Sequence, residues 1–149
     1  MRRIAVVVIS GILLAIWSAV VPAQATVSTA VAITSTVNLN TDPATGTWSA
    51  TGDVNDSGTL VEPRLRLGGD GTLQITRVNS GSNGTFTLRI LSKVSGVEPN
   101  GDVDFTGSWV VISGTGQYAT LHGHGDRIAV YHPDTNTVTE TLTGEVHFD

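Results

Sequence analysis

Apolar and polar residues alternate along most of the chain with a period of two. Trp48, Ala50, Gly52 and Val54 fall on one side, and Thr47, Ser49, Thr51 and Asp53 on the other. Phe86, Leu88 and Ile90 alternate with Thr85, Thr87 and Arg89, and Phe105, Gly107, Trp109 and Val111 share one parity. Near the end, Val138, Leu142, Val146 and Phe148 oppose Thr139, Thr141, Thr143, Glu145 and His147. Residues two apart on a strand share a face, so this is the signature of strands with one apolar side. Clusters of Gly, Asn, Asp, Pro and Ser punctuate the pattern at 41–46, 55–58, 68–71, 79–84, 95–101, 114–116 and 133–136. The spacing predicts eight strands, over 26–40, 46–54, 59–67, 72–78, 85–94, 102–113, 119–131 and 137–148. Pro63 cannot donate to a ladder, so a bulge, break or edge is expected there. No helical period runs for more than a few residues, and no repeat of 20–50 residues is present. An open sheet of this kind would leave two bare edges and a bare apolar face. Closure removes both problems, and the expectation is an all-β fold, a single eight-stranded antiparallel β-barrel after an N-terminal signal peptide.

The leader breaks the alternation. Arg2 and Arg3 precede an almost wholly apolar run from Ile4 to Val21, then Pro22 and the small-x-small site Ala23-Gln24-Ala25. The run is near the lower limit for a membrane span and ends in a cleavage-type flank, so residues 1–25 read as a secretory signal and 26–149 as the barrel domain. Its removal leaves 124 of the 149 residues, with six of the eight basic residues against thirteen acidic ones. The formal charge is then −7 in place of −5. That balance speaks against nucleic acid and anionic membrane surfaces, which need a basic patch. The expected location is secreted or on the cell-envelope exterior, with no membrane association after cleavage. There is no cysteine, which excludes disulfide staples, thiol chemistry and a lipoprotein anchor.

Candidate chemistry is sparse. His122-Gly123-His124-Gly125-Asp126 places two imidazoles two residues apart on a strand. They could grip one metal ion with Asp126, His132 or His147, unless Gly123 and Gly125 pack inward and turn both histidines to solvent. Glu140 shares the parity of Val138, Leu142 and Val146. A carboxylate inside an apolar barrel is expected to have a raised pKa and to act as acid, base or ligand anchor, with Arg127 as its partner. Trp48, Phe86, Trp109 and Tyr118 are expected to fill the interior and line any cavity, Tyr118 capping one end. Asp53-Val54-Asn55-Asp56-Ser57-Gly58 opens like a calcium loop but reaches Arg64 where a glutamate is needed. Gly114-x-Gly116-x-x-Ala119 lies between strands without a helix, so it is no dinucleotide site, and no cofactor motif emerges. Trp109-Val110-Val111-Ile112 is apolar on both faces, which predicts a homo-oligomer contact through Val110 and Ile112.

The segment Trp109-Val110-Val111, Gly114-Thr115-Gly116, Tyr118 and Leu121-His122-Gly123-His124-Gly125 resembles the exported barrels related to the allene oxide cyclase and dirigent families. Gly84-Thr85-Phe86-Thr87-Leu88 and the ending Thr143-Gly144-Glu145-Val146-His147-Phe148 extend the likeness over roughly the last 65 residues. The resemblance implies an eight-stranded antiparallel barrel with a central cavity, often oligomeric. It carries no catalytic residue over. Two functions follow as expectations. One is a barrel that binds a small apolar ligand or serves a structural role. The other is an isomerase or cyclase of the allene oxide cyclase-like type, in which Glu140 or a tyrosine moves a proton in a small apolar substrate. The inward face lacks clustered acid and base residues, which favours the first.

Overall fold

The computed structural model describes residues 27–149; the leader expected over 1–25 lies outside them. The eight strands are β1 Thr29–Asn38, β2 Ala44–Gly52, β3 Asp56–Leu67, β4 Leu73–Gly81, β5 Gly84–Val97, β6 Val103–Gly114, β7 Leu121–His132 and β8 Thr137–Phe148. Each pairs antiparallel with the next, and β8 pairs with β1, so the sheet closes into an up-and-down barrel. Closure satisfies both edges, which is why a chain with no disulfide can hold this sheet.

The expected strand bounds shift by a few residues. Asn79–Gly81, read from sequence as loop, extends β4, leaving only Ser82 and Asn83 as the β4–β5 turn. Residues 116–118 form one turn of 3-10 helix, with Gly116 at φ 61° where a side chain would be strained. Pro63 sits at a register shift between Val61 and Arg64, so the missing donor is absorbed by a bulge.

One end of the barrel is plugged. Trp48 meets Phe86 edge-on at 5.1 Å, and Phe86 meets Tyr118 the same way at 5.2 Å, all three buried. Tyr118 comes from the 3-10 turn and lies across the end. Its hydroxyl donates to Asp56 Oδ2 at 2.8 Å, and that carboxylate also accepts from Ser82 N, Ser82 Oγ and Asn83 N. Asp56 therefore ties three turns together. Burial of the Asp56 carboxyl raises its pKa, but the Tyr118 hydroxyl and the Asn83 and Ser57 amides outweigh that and hold it well below the usual range. Burial and the same bond push Tyr118 up to about 12. Tyr118→Phe is expected to cost about 1.5 kcal/mol, the lower end for a bond to a charged group, measured by urea unfolding at pH 7. A variant as stable as the wild type would show that the aromatic ring alone closes this end.

The opposite end is a funnel. Beyond the Pro63 bulge, Leu65 pairs with Ile75 and Leu67 with Leu73, which puts both leucines on the inward parity of buried Ile75. Yet Leu65 is 56 % exposed and Leu67 70 %. The last five residues of β3 are exposed on both faces, and of the two leucines Leu65 borders a cavity that the described residues leave open.

Candidate functional site

Between plug and funnel lies a polar layer. Arg77 on β4, Glu62 on β3, Arg127 on β7, Glu140 on β8 and Ser92 on β5 all point inward and are buried, Arg77 completely. Alternation puts them there: Arg77 shares the parity of Ile75, Glu62 that of Leu60, and Glu140 that of Leu142. Arg77 Nε donates to Glu62 Oε1 at 3.0 Å and Arg77 Nη2 to the same oxygen, while Arg77 Nη1 donates to Glu140 Oε1. Arg127 Nε donates to Glu140 Oε2 at 2.7 Å, and its Nη1 to Ser92 Oγ at 2.7 Å. Ser92 Oγ in turn donates to the Thr106 carbonyl.

The layer holds two guanidiniums and two carboxylates, so its formal charge is zero. Desolvating four charges is expensive, and only mutual pairing with good geometry returns the cost. Both oxygens of Glu140 are occupied, one by each arginine. Burial alone would raise its pKa, but Arg77 and Arg127 beside it win and hold the carboxyl below its ordinary value of 4.5. The raised pKa expected from sequence is thus corrected, because that expectation placed Glu140 in an apolar setting. Burial would likewise lower the pKa of Arg77, and Glu140 and Glu62 raise it instead.

On the funnel side, the layer forms the floor of a cavity of about 270 Å³. Its walls include Val37, Leu39, Leu65, Leu73, Ile75, Phe105, Tyr131 and Val138, and its polar residues are Glu62 and Arg127. A larger hollow of about 540 Å³ lies on the outer wall across Thr34, Thr36, Thr47, Ser49, Thr139 and Thr141. It is an open, hydroxyl-rich surface whose one charged lining residue is Glu140, already held by both arginines, so the less open funnel with its two charged floor residues is the better site.

The structure thus joins Arg127 to Glu140, as the sequence expectation paired them. It places Trp48, Phe86 and Tyr118 in the plug rather than along the funnel. Trp109 is buried against Gly123, its indole Nε1 donating to the Thr143 carbonyl at 3.2 Å. None of these four aromatics lines the 270 Å³ cavity. They lie on the plug side of the barrel, and Trp48 borders the 540 Å³ hollow on the outer wall instead. Sequence reading missed Arg77 and Glu62, although their parity with Ile75 and Leu60 was a usable signal.

His122 and His124 face outward, as Gly123 on the inward parity requires. The His122 ring stacks on His147 at 5.2 Å, and His122 Nε2 lies 3.0 Å from Asp149 Oδ2. Among the described residues, no group of three His, Asp or Glu side chains is arranged to hold a metal ion. Val110 and Ile112 are on the outer wall, Ile112 about half exposed.

Together these features define a class: a closed up-and-down barrel, plugged by aromatics at one end and open at the other above a neutral ion-pair floor. Compared with family models, curated proteins and solved structures, the chain matches none.

Proposed function

We propose that the protein is an exported binding barrel that takes a small apolar ligand into the funnel. The observation that carries this reading is the inward-facing Leu65, left exposed at a cavity whose other apolar walls are buried at Val37 and Ile75 and half-buried at Leu39, Leu73, Phe105, Tyr131 and Val138. Burying such surface is favourable by about 25 cal/mol per Å², and among the described residues nothing covers it. The secretory reading of residues 1–25 places that function outside the cell. The likeness to allene oxide cyclase-like barrels agrees with a cavity but supplies no reaction. Glu140 does not favour the isomerase alternative: a carboxylate held ionised between two arginines is a poor proton carrier near neutral pH.

The test is calorimetric titration with octan-1-ol. Seven methylenes and a methyl at about 0.8 kcal/mol each, less the cost of association, predict one-site binding with a Kd no tighter than the millimolar range. Leu73→Trp, at the half-buried rim, fills the funnel and is expected to abolish the binding while the protein unfolds at an unchanged temperature. Absence of binding by the wild type would sink the reading.

A further inference from the structure

The floor of the funnel specifies the polar end of its occupant. Resting on the ligand-binding reading above, we infer that the ligand is amphipathic, with an uncharged head that both donates and accepts a hydrogen bond, and a body of about eight to ten non-hydrogen atoms.

Arg127 has its Nε on Glu140 and its Nη1 on Ser92, which leaves Nη2 without a protein acceptor among the described residues. Glu62 receives both of its Arg77 contacts on Oε1, which leaves Oε2 without a protein donor among them. Both residues line the cavity, and both keep a trace of exposure, 4 % for Arg127 and 7 % for Glu62. Neither free atom is among the buried side-chain atoms that lack a partner. The floor therefore presents one N–H donor and one carboxylate acceptor towards the funnel. Arg77 has no part in this, because its contacts are spent within the layer and it has no exposure.

Charge then selects among heads. The two arginines and two glutamates cancel, so a carboxylate or an ammonium seated on the floor would be a buried charge without a counter-ion. Such a group costs several kcal/mol unless paired. A primary amide or an alcohol supplies the acceptor for Arg127 Nη2 and the donor for Glu62 Oε2 with no net charge. The body size follows from volume: at about 30 Å³ per water-sized group, 270 Å³ holds roughly nine.

The experiment is calorimetric titration at pH 8 with four eight-carbon probes: octan-1-ol, octanamide, octanoate and octylammonium. The expected result is that octanol and octanamide bind at least tenfold more tightly than either ion. If all four fail to bind, the ligand-binding reading itself falls. If octanoate or octylammonium binds as well as the neutral pair, ligand binding stands and the head-group inference is overturned. Charge-altered floors give an independent reading. Glu62→Gln leaves the floor at +1 and is expected to turn the preference towards octanoate; Arg127→Gln leaves it at −1 and turns it towards octylammonium. Circular dichroism identifies a variant that has lost its fold. The wild-type series decides the question even if both variants have. A folded variant whose preference stays with the neutral probes would also overturn the inference.

Discussion

Arg77→Met is expected to destabilise the barrel by about 3–5 kcal/mol at pH 7, the range for removing one partner of a buried ion pair. Arg77 has no exposure and holds Glu62 through two of its nitrogens and Glu140 through the third. Methionine fills much of the volume but leaves Glu62 without a cation and Glu140 with Arg127 alone. The pH dependence distinguishes this from simple loss of packing. In the wild type, Glu140 has a folded pKa below 4.5, so its contribution to stability is present above about pH 4.5 and is lost as pH falls through the folded value. In the variant, burial is opposed by Arg127 only, and the Glu140 pKa moves up. The deficit should therefore narrow as pH falls from 7 to 4, because the variant accepts the proton that the wild type resists. Urea unfolding across that range measures it. A deficit constant with pH would mean that the guanidinium acts by volume alone. Removing the whole layer has a different expected outcome: replacing Arg77, Glu62, Glu140 and Arg127 together by apolar residues of similar volume should cost far less than Arg77→Met, since desolvation is then avoided on every side.

Trp109→Ala is expected to cost about 3–5 kcal/mol, the usual penalty for emptying a buried aromatic site. Trp109 on β6 stands opposite Gly125 on β7, and Gly125 stands opposite Gly144 on β8. A Cβ at Gly123 would lie 3.4 Å from the indole, and one at Gly125 would collide with the Thr143 carbonyl. The glycines thus leave a groove in the barrel wall that the indole fills. Trp109→Phe should recover most of the loss, at a residual cost of about 1–2 kcal/mol for the smaller ring and the lost bond to Thr143. Equilibrium unfolding of the two variants beside the wild type is the check. Equal stability of Trp109→Ala and the wild type would refute the groove-filling role.

Alternation and turn chemistry were enough to predict eight strands and closure, because period-two burial is local and the turns predicted at 68–71 and 133–136 appear in place, while the one predicted at 55–58 lies at 53–55. Pro63 likewise announced a bulge, break or edge, of which the structure has the bulge, since a missing N–H is a property of the residue itself. Parity also put Glu140 and Arg127 inside. What parity lacks is height within the barrel and position around it. The stagger of the strands decides that Arg77, fifteen residues from Glu62 and sixty-three from Glu140, meets both. It decides that Trp48, Phe86 and Tyr118 gather at one end while the leucines beyond the bulge are left around the other. The pKa of Glu140 turned on the same fact: burial, which the sequence foretells, pushes it up, and the two arginines, which only the closed sheet delivers, bring it down. The sequence by itself determined the strands and their inward faces. The tertiary structure alone decided which inward residues touch, because contacts across a barrel depend on shear and closure, and no local pattern along the chain encodes those two quantities.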